Sequence, residues 1–159
     1  VVDKVDSGGQ EQLTESVFVG SFEHSLDPKR RLTIPSDWRA QVIGRGSLYV
    51  LPAVDEKCLS VLPVREMTRR LGSIGHHSIA DRKAREFSRV LASRSDLLSW
   101  DSQGRIRIKD DMLDAVGIKE SVVLLGNFWF FELWAPAVLK KSGVLEQANI
   151  EDAVRHVGF

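Results

Sequence analysis

The chain of 159 residues has a single cysteine, Cys58, so no intrachain disulfide can form. That excludes a small disulfide-stapled secreted scaffold and points to a reducing, cytosolic compartment. There is no surplus of charge either: 22 Lys and Arg stand against 22 Asp and Glu. A uniformly basic nucleic-acid coat and an acidic solvating tail are both excluded, while local patches remain open. Long apolar runs are missing as well. Stretches such as Val122–Leu125 and Phe128–Phe131 fall far short of the roughly 20 residues a membrane helix needs, so a soluble protein with no membrane partner is expected. The first residues carry no basic-then-apolar order, and no secretory leader is expected.

Catalytic signatures are also lacking: there is no Gly-rich phosphate loop, nucleophile elbow or H-E-x-x-H. His76-His77 together with Cys58 has no standard zinc-ligand spacing and no second cysteine. Asp110-Asp111 looks like a carboxylate pair but sits where helix N-caps and first-turn acids belong. No catalytic residue, metal site or cofactor is assigned, and an enzyme is not expected.

What the chain does have is a globular balance, 43% hydrophobic and 28% charged, enough for a core in one domain or two small ones. It also contains an internal repeat. The segment Asp27-Pro28-Lys29-Arg30-Arg31-Leu32-Thr33-Ile34-Pro35-Ser36-Asp37-Trp38 aligns, 74 positions later, with Asp101-Ser102-Gln103-Gly104-Arg105-Ile106-Arg107-Ile108-Lys109-Asp110-Asp111-Met112. Asp27/Asp101, Arg31/Arg105, Ile34/Ile108, Asp37/Asp111 and Val42/Val116 coincide, and Leu59–Leu62 matches Phe131–Trp134 at an offset of 72.

Each unit reads alike. Phe18, Gly20, Phe22, His24 and Leu26 alternate with mostly polar neighbours, the period of a half-buried strand. At Asp27–Arg30 the Asp side chain can accept backbone N–H bonds and Pro28 presets φ for a tight turn. A short strand, Arg31–Ile34, follows; Ser36 or Asp37 caps a short helix carrying Trp38 and Val42, which Gly44 stops. Ser47–Leu51 and Cys58–Leu62 are two further strands. The second unit repeats this order: Leu97–Trp100, the Asp101–Gly104 turn, Arg105–Ile108, a helix near Asp111–Val116 stopped by Gly117, then Val122–Leu125 and Trp129–Trp134. Between the units, Val64, Met67 and Leu71 follow Pro63 at helical spacing, Ser78–Asp81 resembles a capping box, and Ala84, Phe87 and Leu91 mark an amphipathic helix. From Pro136 the chain is expected to be helical with a break at Gly143. The expectation is an α+β, β-rich tandem-repeat fold with helices between and after the units. It comprises a flexible arm (1–16), a first unit (17–63), a helical connector (64–94), a second unit (95–136) and a C-terminal helix and tail (137–159).

The element with the best claim to function is the twice-occurring Asp-x-x-x-Arg. A hairpin tip is exposed by geometry, and alternation makes Arg105 and Arg107 project together, opposite Ile106 and Ile108. Lys29, Arg30 and Arg31 crowd the first tip. Guanidinium groups there suit phosphate contacts and bidentate reading of guanine edges; equally, the Asp–Arg pair can simply pin the turn. Arg65–Arg94 holds eight basic residues against three acidic, a surplus of five, and the arm 1–16 holds four acidic against one basic. The basic segment can widen a phosphate-binding surface, form the solvated face of two amphipathic helices, or face a neighbouring subunit. The run Phe128–Trp134 puts bulky residues on both faces of a strand, of which core packing accounts for one and assembly is expected for the other.

Taken together and in order, 20–35, Ala84–Phe87, 101–108, 123–128 and Phe131–Trp134 resemble the MraZ family of bacterial transcriptional regulators, built from two SpoVT-AbrB-type domains. The resemblance covers roughly Phe18 to Lys140. It implies a swapped-hairpin-like barrel fold, assembly into a homo-oligomeric ring, and binding of double-stranded DNA at direct repeats upstream of an operon of division and cell-wall genes, in the cytoplasm at the nucleoid. The family's paired motifs fall on Asp27/Arg31 and Asp101/Arg105. DNA contact thus attaches to Lys29, Arg30, Arg31, Arg105 and Arg107, and turn-ordering to Asp27, Asp101 and Gly104. Arg30 departs from the family's glycine at that place; if the turn needs φ > 0 it is strained by about 1 kcal/mol, which an added phosphate contact would offset. Lys109 stands where the first unit has Pro35, and the arm inherits no role. The alternative is an AbrB-like antitoxin or ring-forming scaffold that holds a protein partner without specific DNA binding.

Overall fold

A computed structural model describes residues 17–42, 46–74 and 81–158. The first half gives β1 (Ser21–Ser25), β2 (Arg31–Thr33), α1 (Ser36–Arg39), β3 (Ser47–Pro52) and β4 (Leu59–Pro63). Then come α2 (Val64–Ile74) and α3 (Arg82–Arg94), and the second half repeats the order as β5 (Asp96–Ser99), β6 (Arg105–Arg107), α4 (Asp110–Ala115), β7 (Ser121–Gly126) and β8 (Phe131–Trp134). Two helices close the chain, α5 (Pro136–Ser142) and α6 (Gln147–Val157).

The strands do not pair within their own halves alone. The six-stranded antiparallel sheet has the order β1-β7-β8-β4-β3-β5, and β2 and β6 form a separate two-stranded ribbon. The first strand of each half thus lies against the third strand of the other: Ser21 opposite Leu125 in β1–β7, and Ser47 opposite Ser99 in β3–β5. At the centre, β4 meets β8 with Leu59 opposite Leu133. Equivalent strands face each other about an internal pseudo-two-fold.

Alternation along the strands explains where the core sits. Leu48, Val50, Leu59, Val61, Val122, Leu124, Phe131 and Leu133 line one sheet face, and in the same cluster lie Leu32, Ile34, Ile106 and Ile108 from the ribbon and Trp38 and Leu113 from the short helices. On the other face Cys58, Val123 and Trp134 meet Val138 and Leu139 of α5, while α2 lies against β3 and β4. Gly126 is needed where it stands: a Cβ there would meet the backbone oxygen of Phe18 at 2.4 Å.

Two expectations are corrected. The run Phe128–Trp134 is not one strand awaiting a second subunit. Its strand begins at Phe131 and lies inside the sheet, with Phe131 and Leu133 filling one face and Trp134 covered on the other by α5. What remains exposed is the bend before it, Phe128 (57%) and Trp129 (48%), where Phe128 takes φ +59° and bridges Phe18. Ser36 and Asp37 do not cap α1. Pro35 and Lys109 occupy the N-cap positions of α1 and α4 without side-chain caps; each helix begins one residue earlier, and the Trp38 and Met112 N–H groups are taken by the Pro35 and Lys109 carbonyls. Asp81 does cap α3, accepting from the Ala84 N–H at 3.2 Å. However, α3 buries no residue, and its apolar face, Phe87 and Val90, stands exposed among the described residues. The Ser78 part of the capping box, His76-His77, the Gly44 stop and the arm lie outside the described residues.

Cys58 is completely buried. Burial, with the charges of Glu132 and Glu56 adding to it, pushes its thiol up to about 12. Iodoacetamide at pH 8 should therefore leave the folded protein unmodified and alkylate it fully in denaturant, because the thiolate is the reactive form. Mass spectrometry showing rapid alkylation without denaturant would contradict this packing.

Candidate nucleic-acid interface

Both hairpin tips are built by the same local device. Asp27 Oδ1 accepts the backbone N–H of Lys29 at 2.9 Å and of Arg31 at 2.8 Å, and Oδ2 accepts Arg31 Nε at 2.6 Å. Asp101 repeats this with Gln103 N (2.9 Å), Arg105 N (3.0 Å) and Arg105 Nε (2.8 Å). A short side-chain acceptor at the first turn position reaches exactly those donors that the bend leaves unpaired. The backbone N–H of Arg31 and Arg105 holds each carboxyl below its usual range, with burial opposing it and the guanidinium beside it adding to it.

Arg31 is thereby braced through Nε, and Arg105 through both Nε and Nη2. Among the described residues the Nη groups of Arg31 meet no acceptor, and they remain available to a ligand. The ribbon gathers these side chains. Arg31 is directly opposite Arg107, and Thr33 directly opposite Arg105. Leu32 and Ile106 point inward to the core, so the outer face carries three guanidiniums and a hydroxyl. Like charges placed directly across a ribbon repel. Asp27, Asp101 and Asp110 counter that repulsion, the last by accepting Arg107 Nη2 at 2.9 Å.

No family model matches the chain. It is 36% identical over 123 residues to the transcriptional regulator MraZ of Nitratidesulfovibrio vulgaris, a match spanning 74% of this chain and 80% of that protein. To the transcriptional regulator MraZ of Corynebacterium urealyticum it is 33% identical over 133 residues, 84% of this chain and 91% of that protein. The chain belongs to the MraZ family. Its MraZ relatives carry the name of a regulator, not of an enzyme.

Of the residues the MraZ resemblance singles out, Arg31, Arg105 and Arg107 share the ribbon face, and Lys29 stands exposed at the first tip. Arg30 behaves differently. Its backbone takes φ +57°, matching the φ of +76° at Gly104 in the other tip, so the turn keeps the conformation a glycine prefers at a strain of about 1 kcal/mol. Its side chain does not project from the tip. Nη1 binds Asp110 Oδ1 at 2.5 Å, and Nη2 lies 3.5 Å from both Asp114 Oδ1 and the Ile118 carbonyl. The offset for the strain comes from α4 within the chain.

Two contributors escape the sequence reading. Arg39 of α1 lies over Gly104, its guanidinium where a Cβ would stand, and its Nε donates to the Ile34 carbonyl at 3.1 Å. Asp110, read as a first-turn acid, gathers Arg30 and Arg107. The one available signal was that Arg30 and Asp110 both break the repeat, standing against Gly104 and Ser36. The basic segment is partly self-neutralised: Glu66, nearly buried, accepts Arg69 and Arg70, and Arg82 pairs with Glu86.

Proposed function

We propose that this chain is a sequence-specific DNA-binding transcriptional regulator of the MraZ type, acting in the cytoplasm at the nucleoid. It binds direct repeats upstream of a division and cell-wall gene operon. The observation that carries this reading is the β2–β6 ribbon, which presents Arg31, Arg105 and Arg107 on one outer face. A two-stranded ribbon is an element the major groove admits, and arginine edges suit guanine and phosphate alike. Lys29 adds a phosphate contact at the tip, and Asp27, Asp101 and Gly104 hold the tips in shape.

The units 17–63 and 95–136 are read as two SpoVT-AbrB-type domains. The pairing of each first strand with the other unit's third strand supports a swapped-hairpin-like barrel. Assembly into a ring is supported by exposed apolar surface at Phe87 and Val90 and at Phe128 and Trp129, which a second copy would cover. Weak contacts per subunit then add up on repeated sites, because tethering raises the effective concentration of each further tip.

Gel-shift titration of the DNA upstream of the protein's own operon, against the same duplex with its repeats scrambled, tests the reading. The intact repeats should bind more tightly, with log K falling by about 0.9 per phosphate neutralised for each log unit of salt. Light scattering on the same sample should show a multimer. A stoichiometric co-purifying protein, with neither duplex retarded at low salt, would favour the antitoxin-like or scaffold alternative.

A further inference from the structure

Four departures from the internal repeat meet at one place. Arg30 stands where the second tip has Gly104. Asp110 and Asp114 stand where α1 has Ser36 and Ala40, and Arg107 stands where β2 has Thr33. All four side chains join in one ionic cluster: Arg30 with Asp110 and Asp114, and Arg107 with Asp110. The pseudo-equivalent place, where the second tip meets α1, has none of these four charges; Arg39 alone occupies the space above Gly104. The charged substitutions are thus complementary to one another and confined to the first tip.

Asp110 offers Arg30 and Arg107 a single carboxylate oxygen, Oδ1, at 2.5 and 2.9 Å. This is the contact that a phosphate oxygen would make with the same two guanidiniums. The Asp110 side chain is 55% exposed, so water and salt screen the cluster and an incoming phosphate can displace it. Arg107 lies on the ribbon face next to Arg31, and the carboxylate therefore competes at the interface itself.

We propose that Asp110 imitates DNA phosphate and so limits the affinity of the first tip for a nucleic-acid backbone. It holds Arg30 and Arg107 in an internal pair that a nucleic-acid backbone must displace, while the Gly104 tip docks without that latch. The proposal rests on the DNA-binding reading above. It makes the two tips unequal: one meets the backbone freely and the other only by displacing Asp110.

Asp110→Asn keeps the shape of the side chain and removes its charge. Asp111→Asn makes the same charge change one residue away, at a carboxylate that pairs with neither arginine and only accepts the Met112 N–H, and serves as the matched control. With melting temperatures checked to be alike, Asp110→Asn should raise affinity for the scrambled duplex by about tenfold over Asp111→Asn. It should steepen the salt dependence by about one to two in slope, as one or two further phosphates are neutralised, and raise affinity for the repeat duplex by at least as much, because the pair is displaced on both. If the two variants match in affinity and slope on both duplexes while the wild type binds its repeats, the latch is overturned and the DNA-binding reading stands. If the wild type retards neither duplex at low salt, both fall together.

Discussion

Arg31→Ala combined with Arg105→Ala should lower affinity for repeat DNA by at least about thirtyfold, since a bidentate arginine–guanine contact contributes about 1–3 kcal/mol and two are removed from each subunit. In a multimer the loss multiplies over the tips engaged. The fold should survive, because the turns do not depend on the guanidiniums alone. Asp27 retains the N–H groups of Lys29 and residue 31, and Asp101 those of Gln103 and residue 105. Circular dichroism and light scattering should therefore match the wild type. Wild-type affinity in a soluble double variant would remove the ribbon from the interface and leave the Asp–Arg pairs as turn braces only.

The largest effect on stability is expected at Trp38, which is 1% exposed. Its ring meets Phe18 edge-on at 5.5 Å, Phe22 at 5.2 Å and Phe131 at 4.9 Å, and its Nε1 donates to the Val19 carbonyl at 3.1 Å. Trp38→Ala removes these contacts at once and leaves that carbonyl without its indole donor, which should cost about 3–5 kcal/mol. At about 2–4 °C per kcal/mol for a chain of this size, the melting temperature should fall by roughly 6–20 °C. The aromatic cluster spans both halves, so the transition should stay single. A loss below about 3 °C, or two separate transitions by calorimetry, would show that the halves are held together elsewhere. Trp38→Phe, which keeps an aromatic ring and loses the indole hydrogen bond, should fall between the two.

The parts of this structure that were legible in the sequence are the local ones. An aspartate that wraps a turn reaches donors two and four residues on, so Asp27 and Asp101 announce themselves by spacing, and the mismatch of Arg30 with Gly104 marks a strained position. The helix break at Gly143 is local in the same way. What stayed hidden depends on contacts between distant segments. Nothing in either copy of the repeat says that Arg31 will stand opposite Arg107, because that register is set where the two halves meet. Arg39 above Gly104 and Arg30 against Asp110 are hidden for the same reason. The run Phe128–Trp134 misled because apolar composition alone does not separate a strand covered on both faces from an exposed aromatic bend.

The crossed pairing of strands also sets an order of events during synthesis. Ser21 must wait for Leu125, roughly a hundred residues later in the chain. At about 5–20 residues per second a ribosome needs roughly 5–20 s to deliver that partner. Through that interval β1 lacks its partner β7, β4 lacks β8, and the ring of Trp38 lacks Phe131. The nascent first half should therefore depend on the second for its sheet partners. A stop codon anywhere before β8 should release a chain that aggregates or is degraded, leaving no half-functional reader.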